Sequence, residues 1–230
     1  MPKTDLNVPF DEKDEVKRLG GRWDPENKTW FIPDGIAQAP FEKWIPFRNV
    51  RAPYWYIAQT MGTCWKCHEG TLLTAILLPD GHETLEAEED EVDDNTTNSD
   101  TMQTYWLAQD KPAFIFYIDD MPREVLSQLG RVRHYLSRDY SKTTDSRYWM
   151  NHCQHCHAKQ GDFPLHCEPN GFFVPLEIRH GQDIELHTIK TAFTAACGGI
   201  SHDHIHIHIH FGDSGVSTAG EMLPWMKIVS

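Results

Sequence analysis

The first fifty residues alternate short apolar runs with charged turns, a pattern typical of short strands around one helix. Leu6–Phe10 indicates a strand. Asp11 can cap a helix whose first turn is acidic and whose last turn is basic, the order that the helix dipole favours, and Gly20-Gly21 ends it. Two further strands, beginning at Arg22 and at Thr29, flank a turn over residues 24–28. The pattern predicts a β-α-β-β module of about forty residues.

Apolar runs further along the chain indicate more deeply buried elements. Thr71–Leu78 and Pro112–Ile118 are rich in β-branched and aromatic residues and predict strands, whereas Pro122–Leu129 has helical periodicity with proline at its start. Strands are also expected at 161–165, which follows the second C-x-x-C motif, and near 183–190 and 202–211. In the latter, histidine and isoleucine alternate strictly, so one face of the strand carries His204, His206, His208 and His210.

Composition and charge narrow the class of protein. The chain of 230 residues is 40% hydrophobic and 24% charged, as globular proteins are, and its net charge of −13 argues against a protein that coats DNA by bulk attraction. No run of about 18 apolar residues exists, and the N-terminus has no apolar signal segment, so we expect a cytoplasmic protein without membrane contact. Glu83–Asp94 holds eight acids and no base. We expect residues 80–103 to be a solvated acidic loop, either without a partner or as a lure for a basic one.

Two stretches interleave bases with aromatic rings. Lys43–Lys66 has four bases, six aromatic residues and no acid, and Arg123–Arg147 has six bases against three acids. Cations and ring faces suit single-stranded nucleic acid, although the same rings can fill a core and the same bases can form its solvated rim. The candidate contacts to nucleic acid or a protein partner are Arg22, Trp23, Lys28, Arg48, Arg51, Lys66, Arg131 and Arg133.

The strongest chemical signal is a pair of C-x-x-C motifs. Cys64 and Cys67 form one motif, and Cys153 and Cys156 form the other. Each motif can present two thiolates to one ion, and together they complete the tetrahedral set that zinc prefers. We predict one structural Zn²⁺ per chain, with reduced cysteines, a redox pair and an iron–sulfur centre as alternatives. His166 and Cys167 are second-choice ligands. The 85 residues between the motifs require an inserted subdomain.

The histidine row allows three interpretations. It can be the polar face of a surface strand, an anion-binding or active site, or a second transition-metal site. The last is feasible because imidazoles two residues apart on a strand lie about 6.6–7 Å apart at Cα and can chelate one ion.

Two segments resemble known families. The residues LNVPFDEKDEVKRLGGRWDPENKTWFIP closely resemble a short module of unknown function that is appended to conjugative-plasmid primases and other mobile-element proteins. This resemblance covers roughly residues 5–33 and implies a nucleic-acid-processing or mobile-element context, with no catalytic residue assigned. The flanked motifs TCWKCHEGTLLTAILLP and YWMNHCQHCHAKQGDFPLHCEPNGFFVP look like an uncharacterised bacterial zinc-ribbon family, in which glycine usually stands at the positions of His68 and His157.

Together these patterns predict an α+β fold, in which a small β-α-β-β module precedes a zinc-ribbon-containing mixed domain with an antiparallel sheet. The expected domains are the module at 1–46, a split zinc-ribbon domain at 47–178 with an inserted α/β segment and the acidic loop, and a C-terminal antiparallel β segment at 179–230. We expect a zinc-stabilised, non-enzymatic binding protein of a mobile-element or phage-conflict context. Its partner would be nucleic acid or a nucleic-acid-processing protein, and an exposed edge strand would favour a homodimer. The alternatives are a metal-dependent hydrolase or phosphoesterase using the His204–His210 row, and a metal sensor or store.

Overall fold

A computed structural model describes residues 4–25, 28–88, 103–130, 135–168, 171–173, 184–201 and 226–229. The chain divides into two compact units, Met1–Phe47 and Arg48–Ser230. Among the described residues, no helix has the length and apolar character needed to cross a bilayer.

The first unit is built on a three-stranded antiparallel sheet. Its strands are β1 (Thr4–Leu6), β2 (Arg22–Asp24) and β3 (Thr29–Ile32), with β3 in the middle. A 3-10 turn at Phe10–Glu12 leads into helix α1 (Lys13–Arg18), and a second 3-10 helix spans Ala39–Trp44.

The helices of this unit cover one face of the sheet. The buried side chains that meet there are Leu6, Val16, Trp30, Ile32, Phe41 and Trp44. Two glycines after α1 allow this packing. Gly20 has φ +97°, which ends the helix in the left-handed region, and a Cβ on Gly21 would lie 2.5 Å from Val16 Cγ1.

The described residues of the second unit form one sheet of twelve strands. The strands are β4 (Val50–Ala52), β5 (Trp55–Thr63), β6 (Gly70–Leu78), β7 (Glu83–Glu88), β8 (Gln103–Ala108), β9 (Ala113–Asp120), β10 (Leu136–Ser141), β11 (Ser146–His152), β12 (Lys159–Gln160), β13 (Ile184–Ile189), β14 (Phe193–Ile200) and β15 (Met226–Val229). The path across the sheet runs β15-β13-β5-β6-β9-β14-β4-β7-β8, and β11 pairs with β9, β10 and β12. Only the pair β13–β15 is parallel among the described pairs.

The central hairpin β5–β6 is buried on both faces. Trp55 and Ile57 pack into one cluster, which α2 (Arg123–Gln128) covers, while Tyr56 and Ala58 pack into another, which α3 (Asp162–His166) covers. Burial on both faces explains why these strands have nearly continuous apolar sequences.

The predicted α+β fold, with its β-α-β-β module and mixed domain, is wrong. Of the described residues, 48% are in strands and 16% are helical, so the protein is mainly β with large antiparallel sheets. The capping and periodicity signals did locate α1 and α2, but each helix has only six residues. Strands such as β8 are exposed almost throughout and lack apolar alternation, so hydrogen bonding to a neighbour, rather than a buried face, defines them.

Two further expectations need correction. The acidic segment is not a loop from its start, because Glu83–Glu88 forms β7 and pairs with β4 and β8. The strand expected at 161–165 is helix α3. The later part of the acidic segment, over 89–102, and the expected strand at 202–211 lie outside the described residues.

Candidate metal centre

Two hairpins each present a pair of cysteines at their tips. Cys64 and Cys67 lie in the connection between β5 and β6, and Cys153 and Cys156 lie in the connection between β11 and β12. We call these connections the first and second knuckle. The backbone N–H of Cys64 donates to the carbonyl of Glu69, and that of Cys153 donates to the carbonyl of Ala158, both at 2.9 Å. The carbonyls of the same two cysteines accept the N–H groups of His68 and His157, both at 3.0 Å. The two knuckles therefore have the same backbone hydrogen bonds.

Each knuckle closes with a histidine in the left-handed backbone region. His68 has φ +62° and His157 has φ +57°. This region favours glycine, because a Cβ crowds the backbone there. A glycine at either position would therefore relieve backbone strain.

The four cysteine sulfurs converge on one point. The Sγ atoms of Cys64 and Cys156 are 3.7 Å apart, those of Cys67 and Cys153 are 3.6 Å apart, and all four lie within 4.8 Å of one another. All are free cysteines. A tetrahedral zinc with bonds of about 2.3 Å places its sulfurs about 3.8 Å apart, so the spacing matches such an ion. The cluster predicted from the two motifs is thus present, and it does not include His166 or Cys167.

Hydrogen bonds to sulfur prepare this site for thiolates. The N–H groups of Lys66 and His155 each point at the first sulfur of their knuckle, at 3.4 Å. Gln160, which is buried, donates its Nε2–H to Cys64 Sγ at 3.3 Å. Donors of this kind stabilise the charged form of a thiol and orient it as a ligand.

The pKa values show what a cation has to supply. Burial raises the pKa of Cys64, but hydrogen bonds from the backbone N–H groups of Cys67 and Lys66 and with the thiols of Cys153 and Cys67 together lower it to about 6. The backbone N–H of Glu69 lowers the pKa of Cys67, yet burial and the neighbouring sulfurs together raise it to about 12. Because the pKa of Cys67 is raised to about 12, a cation between the sulfurs is needed for this thiol to ionise at neutral pH.

A site with four sulfur ligands is closed. Cys64 and Cys153 are fully buried, and Cys67 and Cys156 are half-buried. Because the four sulfurs complete the tetrahedron, no position remains for a reactive water molecule. The arrangement suits a metal that stabilises the fold.

A buried asparagine joins the two hairpins. Strand β9 pairs with β6 only at Ile76–Leu78. Beyond that point the amide of Asn151, on β11, takes the place of a strand: its Oδ1 accepts the N–H of Thr74 and its Nδ2–H donates to the carbonyl of Thr74, both at 2.9 Å. Asn151 is 2% exposed. Its side chain therefore continues the hydrogen bonding of the β6 edge toward the knuckles.

The second knuckle extends this side-chain ladder. Gln154 Oε1 accepts the N–H of Leu72 at 3.3 Å, and His155 Nε2 lies 3.0 Å from the carbonyl oxygen of Gly70. On the other side of the site, Trp65 donates its indole N–H to the carbonyl of Lys159 at 2.7 Å. The knuckles are thus held together by protein contacts as well as by any ion. Sequence reasoning missed this set, and its only visible signal is the run of polar residues on both sides of Cys153.

The structure places the predicted binding residues in different environments. Arg22, Trp23 and Lys28 are exposed in the first unit, and Lys66 is exposed in the first knuckle. Arg131, Arg133 and the histidine row at 204, 206, 208 and 210 lie outside the described residues.

Two of the predicted bases are engaged within the protein. Arg48 forms an ion pair with Asp120, with the Nε and Oδ2 atoms 3.0 Å apart. Arg51 donates two hydrogen bonds to Glu83, and its guanidinium carbon lies 4.2 Å from the ring centroid of Trp106.

The fold and site define a mainly β protein with a four-cysteine candidate metal centre and a separate small N-terminal unit. Residues 3–46 match the family model described as "Domain of unknown function (DUF5710)". Two similar proteins of Escherichia coli are both named DNA primase TraC. One is 62% identical over 39 residues, which cover 17% of this chain and 4% of the primase. The other is 54% identical over 39 residues, which cover 17% and 3%. No solved structure matches the chain.

These comparisons confirm the resemblance of residues 5–33 to the module found in plasmid primases, and they fit a mobile-element context. They concern the first unit alone and do not extend to the two knuckles.

Proposed function

We propose that this chain is a zinc-stabilised, non-enzymatic binding protein of a mobile element, and that its ligand is nucleic acid. The observation that carries the proposal is the likeness of the first unit to a segment of proteins named DNA primase, next to a unit whose four cysteines suit a structural ion. A nucleic-acid-processing protein is the second candidate partner, since a net charge of −13 weakens long-range attraction to DNA.

The zinc assignment rests on the donor set and its spacing. The four sulfur atoms are spaced like the corners of a tetrahedral zinc–thiolate site, and thiolates favour zinc over cations that prefer oxygen ligands. Iron is the main competitor. Structural zinc sites of small domains contribute an apparent binding free energy of about 10–16 kcal/mol, which exists only in the folded state. This binding free energy offsets the conformational entropy that is lost when two hairpins separated by 85 residues of chain are brought together.

Elemental analysis and cobalt substitution test the metal. We expect one zinc per purified chain, and cobalt-loaded protein should show the intense absorption of a tetrahedral thiolate site. A double replacement of Cys153 and Cys156 by serine should remove both signals, whereas Cys197→Ser, at a buried thiol outside the cluster, should leave them unchanged. Zinc retained by the double variant would disprove the site. A second, exchangeable metal per chain would support the predicted histidine-row site at 204–210.

Fluorescence anisotropy with labelled single-stranded DNA, duplex DNA and single-stranded RNA tests the ligand. We expect binding of at least one single-stranded form by the 230-residue chain at low salt. Absence of any nucleic-acid binding, together with capture of a primase by the purified chain, would favour the protein partner instead.

A further inference from the structure

A groove of about 380 Å³ opens on the first unit, between the segment that follows β1 and the hairpin β2–β3. Phe10 and Lys13 lie on its helix side, and Trp23, Lys28 and Trp30 lie on its hairpin side. We call it the Phe10–Trp23 groove. Its volume is near the lower end of the range of small-molecule sites, about 300–1,000 Å³, so it suits a short planar ligand rather than a folded partner.

Two large rings at this groove are exposed although the core of the unit lies next to them. Leu6, Trp30 and Trp23 form one row across the sheet. Trp30 lies beneath the helix and is 9% exposed, whereas Trp23 lies at the sheet edge and is 47% exposed. The two rings make an edge-on contact, with their centroids 5.6 Å apart. Phe10 is 82% exposed. Trp30 therefore fills the core, whereas Trp23 stays partly open and Phe10 keeps the ring face that Lys13 does not cover open to a ligand.

The charge at the groove complements an anion. Lys13 Nζ lies 3.5 Å from the ring centroid of Phe10, and Lys28 is exposed at the opposite wall. The described lining residues include these two lysines and no aspartate or glutamate. Open ring faces together with ammonium groups are the chemistry that binds stacked bases and the phosphates between them.

We propose that the Phe10–Trp23 groove binds the bases of single-stranded nucleic acid. A base stacks on the open faces of Trp23 and Phe10, and Lys13 and Lys28 contact the neighbouring phosphates. Duplexes bind poorly, because their base faces are already stacked against each other. This inference rests on the proposed function and locates its binding site.

The lysine count sets the salt dependence. Two phosphates on a single strand release counterions that give a slope of about −1.4 in log K against log salt concentration. Binding in this groove therefore depends mainly on stacking and survives moderate salt, in spite of the acidity of the whole chain.

The test measures the fluorescence anisotropy of a fluorescein-labelled oligothymidylate that is titrated with the 230-residue chain. The oligonucleotide has about 15 nucleotides, within the usual range of single-stranded site sizes. Trp23→Ala and Phe10→Ala should each weaken binding about 5- to 150-fold, the change that the loss of one stacked base causes. The matched control is Phe47→Ala, because this ring is 67% exposed but lies outside the groove, and it should bind like the wild type. Trp65→Ala, at a 65% exposed ring of the first knuckle, is measured beside it to show whether the oligonucleotide binds there instead.

A surface variant keeps the test independent of folding. Lys13→Gln combined with Lys28→Gln should flatten the salt slope by about 1.4 while the circular dichroism spectrum stays unchanged. Wild-type affinity in both Trp23→Ala and Phe10→Ala would overturn the groove as the binding site and leave the proposed function standing. A loss of affinity confined to Trp65→Ala would have the same meaning and would place the binding site at the knuckles. A wild-type chain that binds no oligonucleotide would overturn both proposals.

Discussion

Asn151→Ala tests how the two knuckles are held together. The buried amide of Asn151 bonds both backbone groups of Thr74 at 2.9 Å, where β9 no longer pairs with β6. Alanine removes both partners at once. Thr74 is itself 2% exposed, so water cannot replace them without opening the sheet.

The magnitude follows from these two backbone groups. Each buried N–H or C=O that loses its partner costs about 1–3 kcal/mol, so we expect the free energy of unfolding to fall by about 2–6 kcal/mol. Domains of this kind are stable by only about 5–15 kcal/mol, so the loss is a large fraction of the total. Zinc cannot restore these bonds. The destabilisation should therefore appear with saturating zinc and also in the presence of a chelator.

Urea unfolding followed by circular dichroism measures the change under both conditions. Gln154→Ala is the matched control, because that side chain is exposed and accepts a single 3.3 Å bond from the N–H of Leu72, so it should cost less than about 1 kcal/mol. A change below about 1 kcal/mol for Asn151→Ala, or an equal change for both variants, would show that the Asn151 amide does not join the hairpins.

Three further changes test separate features. Cys156→Ser should reduce the zinc content in elemental analysis well below one ion per chain, and it should make the midpoint of urea unfolding insensitive to a chelator. One full zinc ion per chain in this variant would contradict the four-sulfur site. Burial raises the pKa of Asp162 from 3.8 to about 7. Its proton therefore stabilises the fold fully below pH 3.8, and this contribution to the free energy of unfolding is lost as the pH rises from there through 7. Asp162→Asn can still accept the N–H of Tyr117 and should raise the free energy of unfolding at pH 8 by up to about 4 kcal/mol, with no gain at pH 4. The exposed Asp110→Asn should change neither value, and an equal gain at both pH values would refute the argument. His157→Gly relieves a left-handed φ of +57° and should raise the free energy of urea unfolding by up to about 1 kcal/mol; a loss would show that the imidazole makes stabilising contacts.

Local signals in the sequence predicted several elements correctly. The charge order and paired glycines located α1, the apolar runs located β6 and β9, and the proline-led segment located α2. The polar strands escaped prediction because nothing in their own side chains distinguishes them from loops. Strand β7 is the clearest case: its acids indicate a solvated segment, but its backbone pairs with β4 and β8.

The candidate metal site was only half predictable. Its sulfur ligands belong to short motifs, but Asn151 and Gln160 act on residues far away in the sequence, so their roles depend on which strands lie side by side. The same holds for Arg48, which sequence composition assigns to a binding surface and which the fold pairs with Asp120.

By itself, the sequence determined the likeness of the first unit to plasmid primase modules and the identity of the four cysteines of the candidate metal centre, because both are written in short contiguous motifs. Only the tertiary structure decided that the two knuckles meet, that the protein is mainly β, and that Trp30 is buried while Trp23 stays open. The physical reason is that strand pairing and register arise from hydrogen bonds between distant residues, which no local pattern of polar and apolar positions specifies.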